Sequence, residues 1–278
     1  MSAYLYVVAT PIGHLEDISP RAIQILRDVD LIAAEDTRHA ARLTDAYHIT
    51  TPVTACHDHN ENHKTAEIIH KIKQGKSIAL ISDAGTPLIS DPGYRLVRAA
   101  HEHNIRVIPI PGACAAIAAL SAAGLPSDRF SFEGFLPAKA HARQQKLNAL
   151  KTAPQTLIFY EAPHRIISCT QDMLDIFGAD REVTMAREIT KTFETIKKTT
   201  FVELVDWIKA DPNQQKGEIV LVVAGKPDAG EQDQQKIDDL LKRLMQDLPL
   251  KPASQLAADL TGLKKNELYQ RALELKNA

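Results

Sequence analysis

Short apolar runs recur through the first half of the chain, each closed by a polar or glycine-bearing cluster and followed by helical periodicity. Tyr4–Ala9 is β-branched and aromatic, ends at Thr10-Pro11-Ile12-Gly13, and gives way to a helix that Ser19-Pro20 caps and that reaches about Asp28. Leu31–Ala34 reads as the next strand, running into Glu35-Asp36-Thr37-Arg38 before a helix over Ala40–Tyr47. Pro52–Ala55 is a third strand, ending in His57-Asp58-His59-Asn60-Glu61 ahead of an amphipathic helix to about Gln74. Ile78–Ile81 is a fourth, followed by the long loop Ser82–Gly93 and a helix over Tyr94–His103. Val107–Ile110 is the fifth and meets Pro111-Gly112-Ala113-Cys114-Ala115, after which a small-residue helix runs to about Ala123. Strands alternating with helices imply right-handed crossovers and a mostly parallel sheet, so all five clusters fall at one edge.

That edge is where open α/β sheets bind ligands. Within Ser82–Gly93, Gly85 and Gly93 would let backbone approach a ligand that a Cβ would push away, and Pro87 and Pro92 stiffen the loop; an ordinary strand-to-helix turn needs the same residues. Beyond the linker Gly124-Leu125-Pro126-Ser127 the rhythm changes. Strands are expected at Phe130–Phe135, Thr156–Tyr160, Glu182–Arg187, Thr192–Thr199 and Glu218–Ala224, and helices at Lys139–Leu150, Pro163–Phe177 and Phe201–Lys209, which makes a mixed α/β domain. Lys226–Gln235 is polar and reads as a hinge. Ile237–Met245, Ala253–Leu260 and Lys264–Leu275 then form a helical tail with helix-turn-helix rhythm about Thr261-Gly262-Leu263, serving as a plain cap or as a nucleic-acid reader. The domains are thus expected at 1–123, 128–226 and 234–278.

Composition narrows the chemistry. With 278 residues, 44% hydrophobic and 24% charged, the chain can bury a substantial core. Met1–Ala9 has no basic or cleavage-type signal pattern and no apolar run reaches membrane-spanning length, so a cytoplasmic location is expected. The three cysteines, Cys56, Cys114 and Cys169, lack ligand spacing; His59 and His63 share one helical face but have no third spaced ligand, so neither a disulfide framework nor a metal site is expected. Pro11-Ile12-Gly13 is not a dinucleotide fingerprint, and there is no phosphate loop and no G-x-S-x-G elbow. Glu35 or Asp36 could bind a ribose, or Asp36 and Thr37 could simply cap the next helix with an ion pair to Arg38.

Taken together, Thr10–Gly13, Glu35–Arg38, His57–Glu61, Ser82–Gly93, Pro111-Gly112, Gly134-Phe135-Leu136-Pro137, Phe159–Arg165, and Arg187-Glu188 with Lys191 resemble the ribosomal small-subunit rRNA methyltransferase I family of the tetrapyrrole methylase superfamily. The resemblance covers almost the whole chain, and the stretch around Asp83 is its most specific part; Cys114 departs from the small hydroxyl residue common there. It implies two α/β domains with S-adenosylmethionine in the cleft between them, a homodimer, and methyl transfer to the 2′-hydroxyl of a cytidine at position 1402 of 16S rRNA in the small ribosomal subunit, with neither metal nor membrane involved. The cofactor positions carry over to Pro11, Asp83, Ala84, Gly85, Leu88, Ile89, Cys114 and Ala115. From the second domain, Tyr160, Ala186, Gly217 and Glu218 would close over the adenine side.

A ribose hydroxyl must lose its proton at or after attack, and the candidate acceptors are Glu35, Asp36, His57, Glu61 and Glu161. For RNA the sequence offers Phe135–Tyr160, a span without acidic residues in a chain of net charge -2; Lys139, Arg143 and Lys146 share one helical face there and could track a phosphate backbone, with Leu150 close to the same stripe. Lys191, Lys197 and Lys198 and the tail are the next candidates. Two other readings share this pattern: a methyltransferase of the same fold acting on a tetrapyrrole or other small acid, and a non-catalytic, cofactor-binding ribosome assembly factor.

Overall fold

In a computed structural model of the chain, the backbone is described for residues 3–57, 61–226 and 229–277, and the side chains for all of these except 61–63, 229–235 and 277. The strands β1 (Leu5–Val8), β2 (Leu31–Ala34), β3 (Val53–Ala55), β4 (Ile78–Ile81) and β5 (Val107–Ile110) pair in parallel in the order β3-β2-β4-β1-β5. On one face, α1 (Pro20–Asp28) and α2 (Thr37–Ala46) set Ala22, Leu26 and Leu43 against Val8, Ala79 and Ile81. On the other, α3 (Glu61–Lys73) and α4 (Tyr94–Glu102) set Ile68, Ile72 and Leu96 against Leu5, Ile78 and Leu80. Strand β4 is therefore buried on both faces, the physical reason for its unbroken apolar run.

The chain leaves β1 toward β2 and leaves β4 toward β5, opposite directions across the sheet, so the crevice beyond the ends of β1 and β4 is the topological switch point. Ser19 Oγ accepts the Ala22 N–H at 3.1 Å and Pro20 opens α1, as the sequence pattern predicts.

The second sheet is mixed, as expected. Strands β6 (Phe130–Phe135), β7 (Thr156–Glu161), β8 (Glu182–Arg187), β9 (Thr195–Thr200) and β10 (Ile219–Val223) lie in the order β6-β7-β10-β8-β9, with only β6 and β7 parallel. Between Phe132 and Gly134 the β6 register shifts, a bulge made possible by the positive φ of 64° at Gly134. Strand β9 starts later than its sequence suggests because Lys191 and Glu194 donate backbone hydrogen bonds to Glu188 and Lys191, turning the chain there.

Helix α5 (Ala115–Ala122) follows β5 but belongs to the core of the second sheet: Ala116, Ala119, Leu120 and Ala123 pack on Ile158, Ala186, Val220 and Val222. Both sheets and their helices, of which α8 (Phe201–Ala210) is the last, accordingly form one compact unit through Ala224, and the chain from Gly225 forms another with residues 152–154. In the latter, α9 (Ala229–Asp247), α10 (Leu250–Thr261) and α11 (Lys265–Asn277) bury Leu241, Ala257, Leu268 and Ala272 together, and Gly262, at φ 72°, ends α10. The polar stretch read as a hinge is helical from Ala229.

Two expectations are corrected by packing. Gly93 does not face a ligand: it is buried at φ 128°, and a Cβ there would stand 2.7 Å from Leu80 Cδ2, so it lets α4 close on β4. Nor is the basic stripe of α6 (Ala140–Leu150) a solvent face. Leu147 on that side is fully buried, and α6 packs on α7 (Ile166–Phe177), which brings Arg143 Nε to 2.6 Å from Asp172 Oδ2 with Arg143 only 4% exposed. Lys146 Nζ turns inward to the Glu133 carbonyl at 2.7 Å; Lys139 stays exposed. Removing one partner of a buried pair strands the other's charge, so Arg143→Ala should cost about 3–5 kcal/mol of stability, read as a lower urea midpoint, with Lys139→Ala leaving the midpoint unchanged.

Candidate active site

At the switch point the β1 and β4 loops are stitched together. Thr10 N–H donates to Gly85 O at 2.9 Å, and Gly85 N–H returns a bond to Thr10 O at 3.1 Å. Gly85 achieves this at φ 83°, with Ile12 Cγ2 only 3.2 Å from where a Cβ would stand. Its freedom is thus spent on a left-handed backbone and on packing against Ile12.

A cavity of about 350 Å³ opens beside this stitch. Its floor is made of small residues, Ala84, Gly85, Cys114 and Ala115, and its far wall comes from the second sheet, through Tyr160, Gly217, Glu218 and Val220. Tyr160 is fixed by accepting the Ala116 N–H at 3.1 Å, and burial pushes its phenol well above the usual range, so it stays neutral. Gly217, at φ 79°, leaves room for the Glu188 side chain, whose Oε1 accepts the Glu218 N–H at 2.8 Å and the Lys191 ammonium at 2.9 Å.

Of the expected cofactor positions, Ala84, Gly85, Ile89, Cys114, Ala115, Tyr160, Gly217 and Glu218 line the cavity. Pro11, Asp83, Leu88 and Ala186 do not. Ile12 takes the place beside Pro11, and Ala186 is fully buried beneath α5. Asp83 is occupied as a brace: Oδ1 accepts the Asp36 N–H at 3.0 Å and Oδ2 meets His39 Nδ1 at 2.7 Å, tying the end of β4 to the start of α2. His39 gave no signal in the sequence because its partner lies 44 positions away.

The proton-acceptor candidates separate likewise. Glu35, Asp36 and His57 are outside the cavity lining, and the Glu61 side chain lies outside the described residues, as do those of His59 and His63. Asp36 caps α2 by accepting the Arg38 N–H at 2.8 Å and pairs with its guanidinium, which holds the carboxyl well below its usual range. Glu161 borders the cavity, yet its side chain is 0% exposed, with Oε1 taken by Arg165 at 2.5 Å and by the Ala162 N–H at 2.7 Å. The reserve lysines are engaged too: Lys191 on Glu188 and Glu218, Lys198 on Glu182, and Lys197 over the Trp207 ring. Unforeseen in the lining are Ile189, Asp91 and Phe135; the last is 54% exposed and edge-on to Tyr160 at 5.7 Å.

The charge of the lining is one-sided. Among its described residues there are three carboxylates, Asp91, Glu161 and Glu218, and no Lys, Arg or His. Such a cavity suits a cationic or neutral ligand and offers nothing to neutralise a phosphate or a polycarboxylate. No group of His, Cys, Asp or Glu among the described residues is placed to hold a metal ion, and no described helix is long and apolar enough to cross a membrane.

Comparison with known proteins agrees with this architecture. The family model for Tetrapyrrole (Corrin/Porphyrin) Methylases matches residues 4–205, and that for the RsmI C-terminal HTH domain matches residues 231–276. A protein of Pseudomonas aeruginosa named ribosomal RNA small subunit methyltransferase I is 56% identical over 97% of this chain and 96% of its own length. One of the same name from Vibrio cholerae is 54% identical over 97% of this chain and 94% of its own. Among solved structures, uroporphyrin-III-C-methyltransferase from Thermus thermophilus superposes with a TM-score of 0.57 at 18% identity, covering 80% of this chain and 94% of that one. Diphthine synthase does so with a TM-score of 0.60 at 14% identity, covering 80% and 90%. These two share the fold. With a family model matching most of the chain and near-full-length relatives at more than half identity, the chain belongs to the tetrapyrrole methylase family and, within it, to the ribosomal RNA small subunit methyltransferase I family.

Proposed function

We propose that this chain transfers a methyl group from S-adenosylmethionine to the ribose 2′-hydroxyl of the cytidine at position 1402 of 16S rRNA. The observation that carries the reading is the identity of more than half along nearly the full length, tail included, to relatives named for small-subunit rRNA methylation. The cavity fits the donor. About 350 Å³ is within the range of small-molecule sites, and a lining that holds carboxylates but no basic residue favours a positively charged sulfonium over a phosphate-bearing nucleotide. The same charge argues against an acidic tetrapyrrole as the substrate held there.

When bound, S-adenosylmethionine supplies a methyl group already activated by the positive charge on sulfur. The protein's work is then alignment and exclusion of water. The small-residue floor at Ala84, Gly85 and Ala115 lets the ligand lie against backbone, while Ile12, Ile89 and Ile189 desolvate it from the sides. Tyr160 closes the far wall at an angle fixed by its bond to Ala116. Lys139, exposed at the N-cap of α6, and the helical tail are the parts proposed to meet RNA, and the homodimer implied by the family belongs to the same reading.

A mass-spectrometric map of ribose methylation in rRNA from cells with and without this gene tests the function directly. One 2′-O-methyl group on 16S rRNA should vanish with the gene, and an unchanged map overturns the reading. With the purified protein in EDTA, S-adenosylmethionine at 100 times its dissociation constant should stabilise by about 2.7 kcal/mol through mass action; no shift in the melting curve would contradict the cavity assignment. Gly85→Val should weaken cofactor binding at least tenfold by calorimetry while far-UV circular dichroism is unchanged, since a branched side chain cannot hold φ 83° against Ile12. Tyr160→Phe removes the acceptor of the Ala116 N–H and should cost about 0.5–1.5 kcal/mol in urea denaturation, with a few-fold loss of cofactor affinity.

A further inference from the structure

Methyl transfer to a ribose hydroxyl needs somewhere for a proton to go, and the cavity wall restricts the choice. Of its three carboxylates, Glu161 is fully covered and locked on Arg165. Glu218 is 73% exposed and already paired with Lys191 at 3.1 Å. Asp91 differs from both. It is half-buried in the wall, next to Ile89 and Ser90 of the same loop, and makes no ion pair with a described residue. The groups that bear on its charge are the Ser82 hydroxyl and the Asp83 carboxylate on the same loop and the Tyr160 phenol across the cavity.

We infer that Asp91 is the catalytic residue that accepts the 2′-hydroxyl proton of the target ribose, an inference that rests on the methyl-transfer reading above. The ribose oxygen forms its bond to the methyl carbon as the carbon–sulfur bond breaks. That bond's electron pair stays on sulfur, discharging the sulfonium to a neutral thioether, and the hydroxyl proton passes to an Asp91 oxygen. Burial, reinforced by the neighbouring charge of Asp83, holds the Asp91 carboxyl above the ordinary carboxylate range. A carboxylate so placed is a stronger base than a solvated one, the direction that general-base catalysis favours. The base works only when ionised, so the rate should rise with pH through the raised Asp91 pKa and then level off.

The test uses the full chain, labelled S-adenosylmethionine and isolated small ribosomal subunits that lack the modification. Asp91→Asn should lower the single-turnover rate at saturating cofactor by about 10²- to 10⁴-fold and abolish the acidic limb of the pH profile, with a far smaller loss of cofactor affinity by calorimetry. Asp91→Glu, which keeps a carboxylate, should restore an acidic limb and part of the rate. An Asn variant within tenfold of wild type, or one that keeps the same acidic limb, overturns the inference. So does a cofactor affinity that falls in step with the rate, which would make Asp91 a ligand of the methyl donor instead. Wild-type protein that binds cofactor but methylates no subunit overturns the methyl-transfer reading and this inference with it; an active wild type beside an equally active Asn variant overturns this inference alone.

Discussion

The seat of α5 on the second sheet is the contact on which the rest of the structure depends. This helix is the last crossover element of the parallel half, yet its buried face of Ala116, Ala119 and Leu120 lies on strands β7, β8 and β10 of the mixed half. Alanines at those positions bring helix and sheet close together without a steric mismatch. Both ends are tied down: Tyr160 accepts the Ala116 N–H at the N-terminal end, and the Thr184 hydroxyl donates to the Ala123 carbonyl at the C-terminal end, at 2.8 Å. Helix termini leave backbone groups unsatisfied, and here the neighbouring sheet satisfies one at each end. The two halves of the unit are thereby held at a fixed separation, and the cavity is the space left between the switch-point loops and the far sheet.

The same economy shows in the loops. An aspartate or glutamate in this region is seldom free to react, because each is spent on geometry. Asp83 joins β4 to α2, Glu161 anchors the turn after β7 through Arg165, and Glu188 organises the turn at Gly217 and Glu218. Holding a carboxylate with two or three donors orders the backbone around it and removes it from chemistry in one step. A site that moves a methyl cation equivalent needs little more than such order, provided one carboxylate in its wall is left outside such pairings with the described residues, as Asp91 is.

Much of this was legible in the chain itself. Five strands and their polar or glycine-bearing ends could be placed because a parallel strand buried on both faces is a continuous apolar run, and a helix start such as Ser19-Pro20 carries its own cap chemistry. Those features depend on neighbours within a few residues. The fold class followed from their alternation, and the family from residues clustered at the strand ends. Small, apolar cavity positions such as Ala84, Gly85, Cys114 and Ala115 were likewise within reach.

What only the tertiary structure decided concerns partners distant in the chain. Arg143 reads as one member of an exposed basic stripe until α7 places Asp172, 29 residues later, against it and Leu147 pulls that side of α6 inward. Asp83 reads as a ligand until His39 and the Asp36 N–H take both its oxygens. Asp91 lay within the most specific stretch of the sequence without any sign of its setting, since desolvation and the facing Tyr160 exist only once β7 stands across the cavity. Periodicity and capping determine what a segment becomes. Whether a charged side chain is a tool or a brace depends on the low-dielectric surroundings and the partners that packing brings to it, and no local pattern encodes those.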